Sequence, residues 1–158
     1  MEKIRLIATA AFGLEAVVAR EVKKLGYEEV QVENGKVTFE AEPSAIARCN
    51  LWLRSADRLL IEVGRFKAES FDELFEKTKA LSWSRWIPEE AIFPVTGKSI
   101  NSTLFSVPDC QAIVKKAVVE SLKKEYKSSW FKEEEGLYKI EVALLKEEAT
   151  LSIDTSGE

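Results

Sequence analysis

The sequence predicts an α+β protein, and three observations predict it. Apolar residues in its first 66 positions switch between a period of two and a period near 3.6, in the order β-α-β-β-α-β. An Asn34-Gly35 dipeptide sits between two short runs rich in valine and phenylalanine, the strongest two-residue hairpin signal. Further on, a long amphipathic helical pattern is followed by two strand-like runs.

Residues 3–10 read as the first strand, with Ile4, Leu6 and Ala8 on one side. Residues 13–25 form an amphipathic helix with Leu14, Val17, Val18, Val22 and Leu25 inward, closed by Gly26 in a left-handed cap. Val30 and Val32 belong to a second strand, Val37 and Phe39 to a third. Pro43-Ser44 opens a helix to Ala56, with Ile46, Cys49 and Leu53 inward and Leu51 beside them. Residues 59–66 alternate again as a fourth strand. This is the ferredoxin-like, split βαβ arrangement of four antiparallel strands and two helices.

From Lys67 the pattern changes to α/β. Residues 71–81 read as a short helix with Phe71, Leu74, Phe75 and Thr78 on its apolar side. Trp83 and Trp86 follow just before Pro88. Residues 91–95 and 100–104 look extended, joined by a Gly97-Lys98-Ser99 turn. Ser106 and Asp109 make a capping-box-like start, with Pro108 in the first turn, for a helix to about Lys127. Its inward stripe is Cys110, Ile113, Val114, Ala117, Val118 and Leu122. A polar loop through Gly136 leads to two last strands, 137–145 and 149–154, with Glu147-Glu148 as their turn.

Composition excludes several functions. There is no histidine, which removes Ser/His and Cys/His nucleophile pairs and the commonest transition-metal ligand. Cys49 and Cys110 stand alone, with no CxxC, and read as two buried reduced thiols. No apolar run approaches the ~18 residues that span a bilayer, and the start at Met1 lacks a signal-peptide core, so a cytoplasmic location is expected. The seven glycines are scattered singly, so no cofactor loop is expected; Gly97-Lys98-Ser99 mimics a P-loop ending, but the required earlier glycine is Ile92.

The net charge of −4 argues at first against a nucleic-acid partner, but the excess is local: the segment from Phe131 holds eight acidic and three basic residues. The rest is nearly neutral and carries one concentration of lysine. At roughly 100° per residue, Lys116, Lys123 and Lys127 project in nearly one direction, flanked by Lys115 and Lys124 and interrupted by Glu120. Together with Lys98, Ser99 and Asn101 of the preceding turn, this face is the candidate phosphate-binding surface. Plain solvent cover is the competing reading. Arg54, with Arg48 and Arg58, offers either phosphate contacts or ion pairs with Asp57 and sheet acids. Trp83, Trp86 and Trp130 offer either base stacking or core-rim packing.

Four segments then carry a resemblance. They are RCNLWLRSADRLLIEVGRF at 48–66, FGLEAVVAREVKKLGY from Phe12, LSWSRWIP from Leu81, and GKSINSTLFSVPDCQAIVKKAVVESL from Gly97. Together they resemble the N-terminal region of bacterial THUMP-domain RNA methyltransferases acting on guanine N2 of large-subunit ribosomal RNA, a family often labelled N6-adenine-specific DNA methylases. The resemblance implies a ferredoxin-like domain at 1–66, a THUMP RNA-binding domain at 67–153, and at 154–158 the start of a junction to a methyltransferase domain. It implies structured RNA, expected to be large-subunit ribosomal RNA, as partner, and S-adenosylmethionine as cofactor of that separate domain rather than of this fragment. No Asn/Asp-Pro-Pro-aromatic motif occurs in the chain, so no catalytic residue is carried over. The leading expectation is an RNA-binding, substrate-delivering module without catalysis of its own; the alternative is a protein-interaction or structural scaffold.

Overall fold

A computed structural model of the chain describes residues 3–33, 35–87, 93–100, 102–104, 106–125 and 138–155. It divides into two compact units, one of Met1–Glu62 with Asp154–Glu158 and the other of Val63–Ile153.

The first unit has the expected βαββαβ order. Its strands β1 (Ile4–Ala10), β2 (Val30–Glu33), β3 (Lys36–Ala41) and β4 (Ala56–Lys67, entering the second unit) lie in the order β2-β3-β1-β4, all neighbours antiparallel. Leu6 stands opposite both Phe39 and Ile61, and Ala8 opposite Val37 and Leu59, so alternate residues build one buried face. Helix α1 (Glu15–Lys24) buries Val18, Ala19 and Val22, and helix α2 (Ala45–Trp52) buries Ala45 and Cys49. Gly26 ends α1 at φ +106, with Gly26 N–H bonded to the Lys23 carbonyl and Tyr27 N–H to that of Val22. These are the paired bonds of a Schellman cap. The pairing Glu33↔Lys36 leaves two residues for the β2–β3 turn, and Gly35 takes φ +81; Asn34 lies outside the described residues.

Three details depart from the expected pattern. Helix α2 stops at Trp52 rather than Ala56, because Leu53 turns extended and the Glu21 carboxylate accepts from Arg54 N–H, Ser55 N–H and Ser55 Oγ. Those bonds take the place of another helical turn. Leu51 is 72% exposed, since it lies about 200° around the helix from buried Cys49. Leu14 is 41% exposed at the N-cap position, ahead of the turn that packs.

In the second unit, β5 (Val95–Ile100), β6 (Ile140–Leu145) and β7 (Glu148–Asp154) lie in the order β7-β6-β5, with β5 parallel to β6 and β7 antiparallel. Helices α3 (Phe71–Lys79) and α4 (Val107–Glu125) pack beside them. Cys110, Val114, Ala117, Val118 and Leu122 of α4 are buried and Ile113 is half-buried, as its stripe predicts. Ser70 Oγ caps α3 by accepting from Glu73 N–H at 3.1 Å, and Glu73 in turn accepts from Glu69 N–H at 2.8 Å. Trp83, in a short 3₁₀ turn (Trp83–Arg85), is fully buried and donates from Nε1 to the Thr78 carbonyl at 2.7 Å. Core packing, not base stacking, is its role. Trp86 is half-buried with the Arg85 guanidinium 4.6 Å from its ring centroid. Trp130 lies outside the described residues.

Two turns are not where the sequence puts them. Gly97-Lys98-Ser99 lies inside β5, not between strands. A Cβ on Gly97 would stand 3.0 Å from Val142 Cγ1 and 3.4 Å from Gln111 Cγ. Glycine is therefore there for close packing of α4 and β6, a reason that local sequence does not display. The β6–β7 turn is Lys146-Glu147 rather than Glu147-Glu148, with φ of +51 and +70 at the two residues. The turn is tied down: Glu147 accepts from Thr103 N–H at 2.8 Å, from Ser102 Oγ at 3.1 Å and from Thr103 Oγ1.

Several carboxylates are held this way. A Gly35 N–H bond lowers the pKa of Glu15, a Glu69 N–H bond that of Glu73, and the Thr103 hydroxyl that of Glu147, all from an ordinary 4.5. A depressed folded-state pKa contributes stability above the unfolded value, and that contribution is lost as pH falls through the folded one. The melting temperature is thus expected to hold down to about pH 5 and then drop. Glu147→Gln should flatten part of that drop; a thermal melt series of both proteins measures it.

Candidate nucleic-acid interface

The rotation of α4 is fixed by its buried stripe, which leaves Lys115, Lys116 and Lys123 exposed. Lys116 and Lys123 are seven residues apart, hence about 10 Å along the axis and about 20° apart around it. None of the three makes an ion pair among the described residues. Lys115 and Lys116 border a shallow groove whose other walls are Val95, Gln111 and Ala112. The Lys115 ammonium lies 5.2 Å from the Phe93 ring centroid and that of Lys116 lies 5.9 Å from the Phe75 centroid.

The rest of the expected set is dispersed. Along β5, Gly97 faces α4, so the strand alternation sends Lys98 to the opposite face of the sheet. There its ammonium lies 3.9 Å from the Glu141 carboxylate. Lys98 and the α4 lysines do not form one continuous face. Ser99 is half-buried and donates from Oγ to the Leu104 carbonyl at 2.8 Å, so its hydroxyl is committed to the backbone. Arg54 is exposed but belongs to the first unit. Arg58 pairs with Asp154 at 3.5 Å. Asn101, Lys127 and the Lys124 side chain lie outside the described residues.

One further lysine beside Phe75 is absent from the sequence-derived set, and it pairs with Glu76 at 3.8 Å. Lys79 of α3 places its ammonium 5.4 Å from the Phe75 centroid, so one ring carries cations from two helices. The Phe75–Lys79 spacing of four on a helix is the signal that could have found it.

Both thiols are buried, and burial pushes that of Cys49 up to about 11. Among the described residues no group of three or more His, Cys, Asp or Glu side chains could hold a metal ion. The described glycines serve turns and close packing: Gly13, Gly26 and Gly35 at positive φ, Gly64 against Leu81, Gly97 against Val142. Among the described residues no helix is long and apolar enough to cross a membrane.

A βαββαβ unit followed by an α/β unit with a cationic helix defines the class of protein. Residues 5–60 match the family model of the RlmL ferredoxin-like domain, and residues 68–154 match that of the THUMP domain. The chain belongs to the THUMP-domain family, in the branch that carries this ferredoxin-like domain. It is 57% identical over 159 aligned residues to the proposed RNA methyltransferase YpsC of Bacillus subtilis (strain 168), covering 99% of this chain and 41% of YpsC. A protein of Listeria monocytogenes str. 4b F2365, described as a predicted N6-adenine-specific DNA methylase, superposes with a TM-score of 0.93 at 60% identity, over 98% of this chain and 40% of that one. SMU.472, described as a proposed methyltransferase and solved with SAH, superposes with a TM-score of 0.88 at 45% identity, over 98% of this chain and 42% of that one. The chain thus spans about two fifths of the length of these relatives.

Proposed function

We propose that this chain is the RNA-binding, substrate-delivering part of an S-adenosylmethionine-dependent RNA methyltransferase. The observation that carries the reading is the α4 surface: within the residues matched to the THUMP domain, Lys115, Lys116 and Lys123 are exposed and carry no ion pair among the described residues. Cations left open in this way suit phosphates, which approach from solvent and release counterions on binding. The names of YpsC and SMU.472, and the SAH in the latter, support a methyl-transferring whole protein. The finer reading is a large-subunit ribosomal RNA target modified at guanine N2, with 1–66 and 67–153 as the two working domains.

Arg54 and Lys98 enter this reading as secondary contacts, because Lys98 lies on the opposite sheet face from α4 and Arg54 belongs to the other unit. A salt titration of binding to a structured ribosomal RNA fragment tests it. The logarithm of affinity is expected to fall linearly with the logarithm of salt, steeply enough for two or more phosphate contacts. Affinity that does not respond to salt would turn the reading toward a protein-binding scaffold.

A further inference from the structure

Among the described residues, the tryptophan that faces solvent is not one of those near residue 85. Trp52, the last residue of α2, is 53% exposed. Its neighbourhood follows from strand register. Ala10, at the end of β1, pairs with Ala56, at the start of β4, and Ala10 N–H bonds to the Gly35 carbonyl of the β2–β3 turn. The segments 11–14 and 53–55 and the Gly35 turn therefore leave the sheet at the same end. That end presents Phe12 at 86% exposure, with Leu14, Leu51 and Trp52 also open to water.

Its cation is Arg54, which is exposed and makes no ion pair through its guanidinium among the described residues, whereas Arg48, earlier on α2, turns toward the opposite end and meets the Tyr27 ring at 5.8 Å. By contrast, Arg5 is paired with Glu40 and Glu62, and Arg58 with Asp154. Of the carboxylates around this end, Asp57 is exposed and Glu33 pairs with Lys36 at 3.5 Å, while Glu15 and Glu21 are turned to backbone and hydroxyl donors. Glu15 accepts from Gly13 and Gly35 N–H, and Glu21 from Arg54 N–H and from Ser55.

Resting on the RNA-binding reading above, we propose that this end of the ferredoxin-like unit is a second RNA site, one that takes unpaired nucleotides. Phe12 and Trp52 stack on exposed bases, and Arg54 meets the adjoining phosphate. Only unpaired bases offer their faces to an aromatic ring, and such stacking tolerates any base. The site is complementary in kind to α4, whose lysines meet backbone phosphate whether the strand is paired or not. The two surfaces thus divide the work: α4 holds charge, and the Trp52 end reports where an RNA helix stops.

The test uses this chain, a single-stranded RNA dodecamer and a blunt duplex of the same sequence. Trp52→Ala and Phe12→Ala are expected to weaken binding of the single strand by roughly tenfold or more, as base–aromatic stacking does on alanine substitution. The duplex should bind each variant as it binds the parent. Lys116→Glu should weaken both RNAs. Both aromatic residues are exposed, and circular dichroism melts confirm that the variants fold. Single-strand affinity unchanged in folded Trp52→Ala and Phe12→Ala overturns the second site while duplex binding leaves the RNA reading standing. If neither RNA binds the parent chain, both fall, and the apolar end is a protein-docking surface.

Discussion

Replacing Lys116 and Lys123 together by glutamate is expected to lower RNA affinity well beyond tenfold at low salt without unfolding the protein. Both side chains project outward from a helix whose opposite side is buried, so the substitutions leave the core intact. For every phosphate that is no longer neutralised, the log–log salt slope should also become shallower by about 0.7 to 0.9. The effect of the substitutions should therefore shrink as salt rises, which separates a charge effect from misfolding. Lys98→Glu is the comparison from the other sheet face, already beside Glu141, and should cost less. A folded double variant with parental affinity would return the α4 lysines to plain solvent cover.

The largest loss of stability is expected from Trp83→Ala. The indole is fully buried in the cluster built by Leu74, Val114, Val118 and Leu151, and it satisfies the Thr78 carbonyl. Emptying such a site costs about 3–5 kcal/mol, a large part of the roughly 5–15 kcal/mol that holds a typical domain. Denaturant unfolding should show a midpoint shifted far down for the transition that reports residues of the second unit. Trp86→Ala should shift it much less, because that ring is only half-buried. Equal losses for the two tryptophans would mean that Trp83 does not anchor the core.

Periodicity locates most of the elements because burial imposes it. The α4 stripe is readable since a helix packed on a sheet must repeat its apolar residues near 3.6, and the ferredoxin-like order follows from strands buried on one face. What cannot be read depends on residues far away in the chain. Nothing near Gly97 says that Val142 and Gln111 crowd it, so a glycine in a strand reads as a turn, and Lys98 falls on the wrong face as a result. Two lysines of one surface lie on different helices and meet only through Phe75. Trp52 does not announce itself as a solvent-facing ring, because the end of α2 is set by Glu21, on another helix.

The Lys146-Glu147 turn has a bearing on the order in which the protein assembles. Ordinary hairpin turns organise their own strands early, since asparagine and glycine accept a left-handed backbone readily. Here two side-chain-bearing residues hold that conformation, which costs of order 1 kcal/mol or more each for L-residues. The compensating bonds come from Thr103, 44 residues earlier, and from Ala68, whose N–H reaches the Glu147 carbonyl. A turn that depends on such remote partners cannot nucleate. The β6–β7 hairpin is accordingly a late arrival in folding, its register dictated by segments already in place, and Glu147→Ala should speed unfolding while leaving the refolding rate nearly as it was.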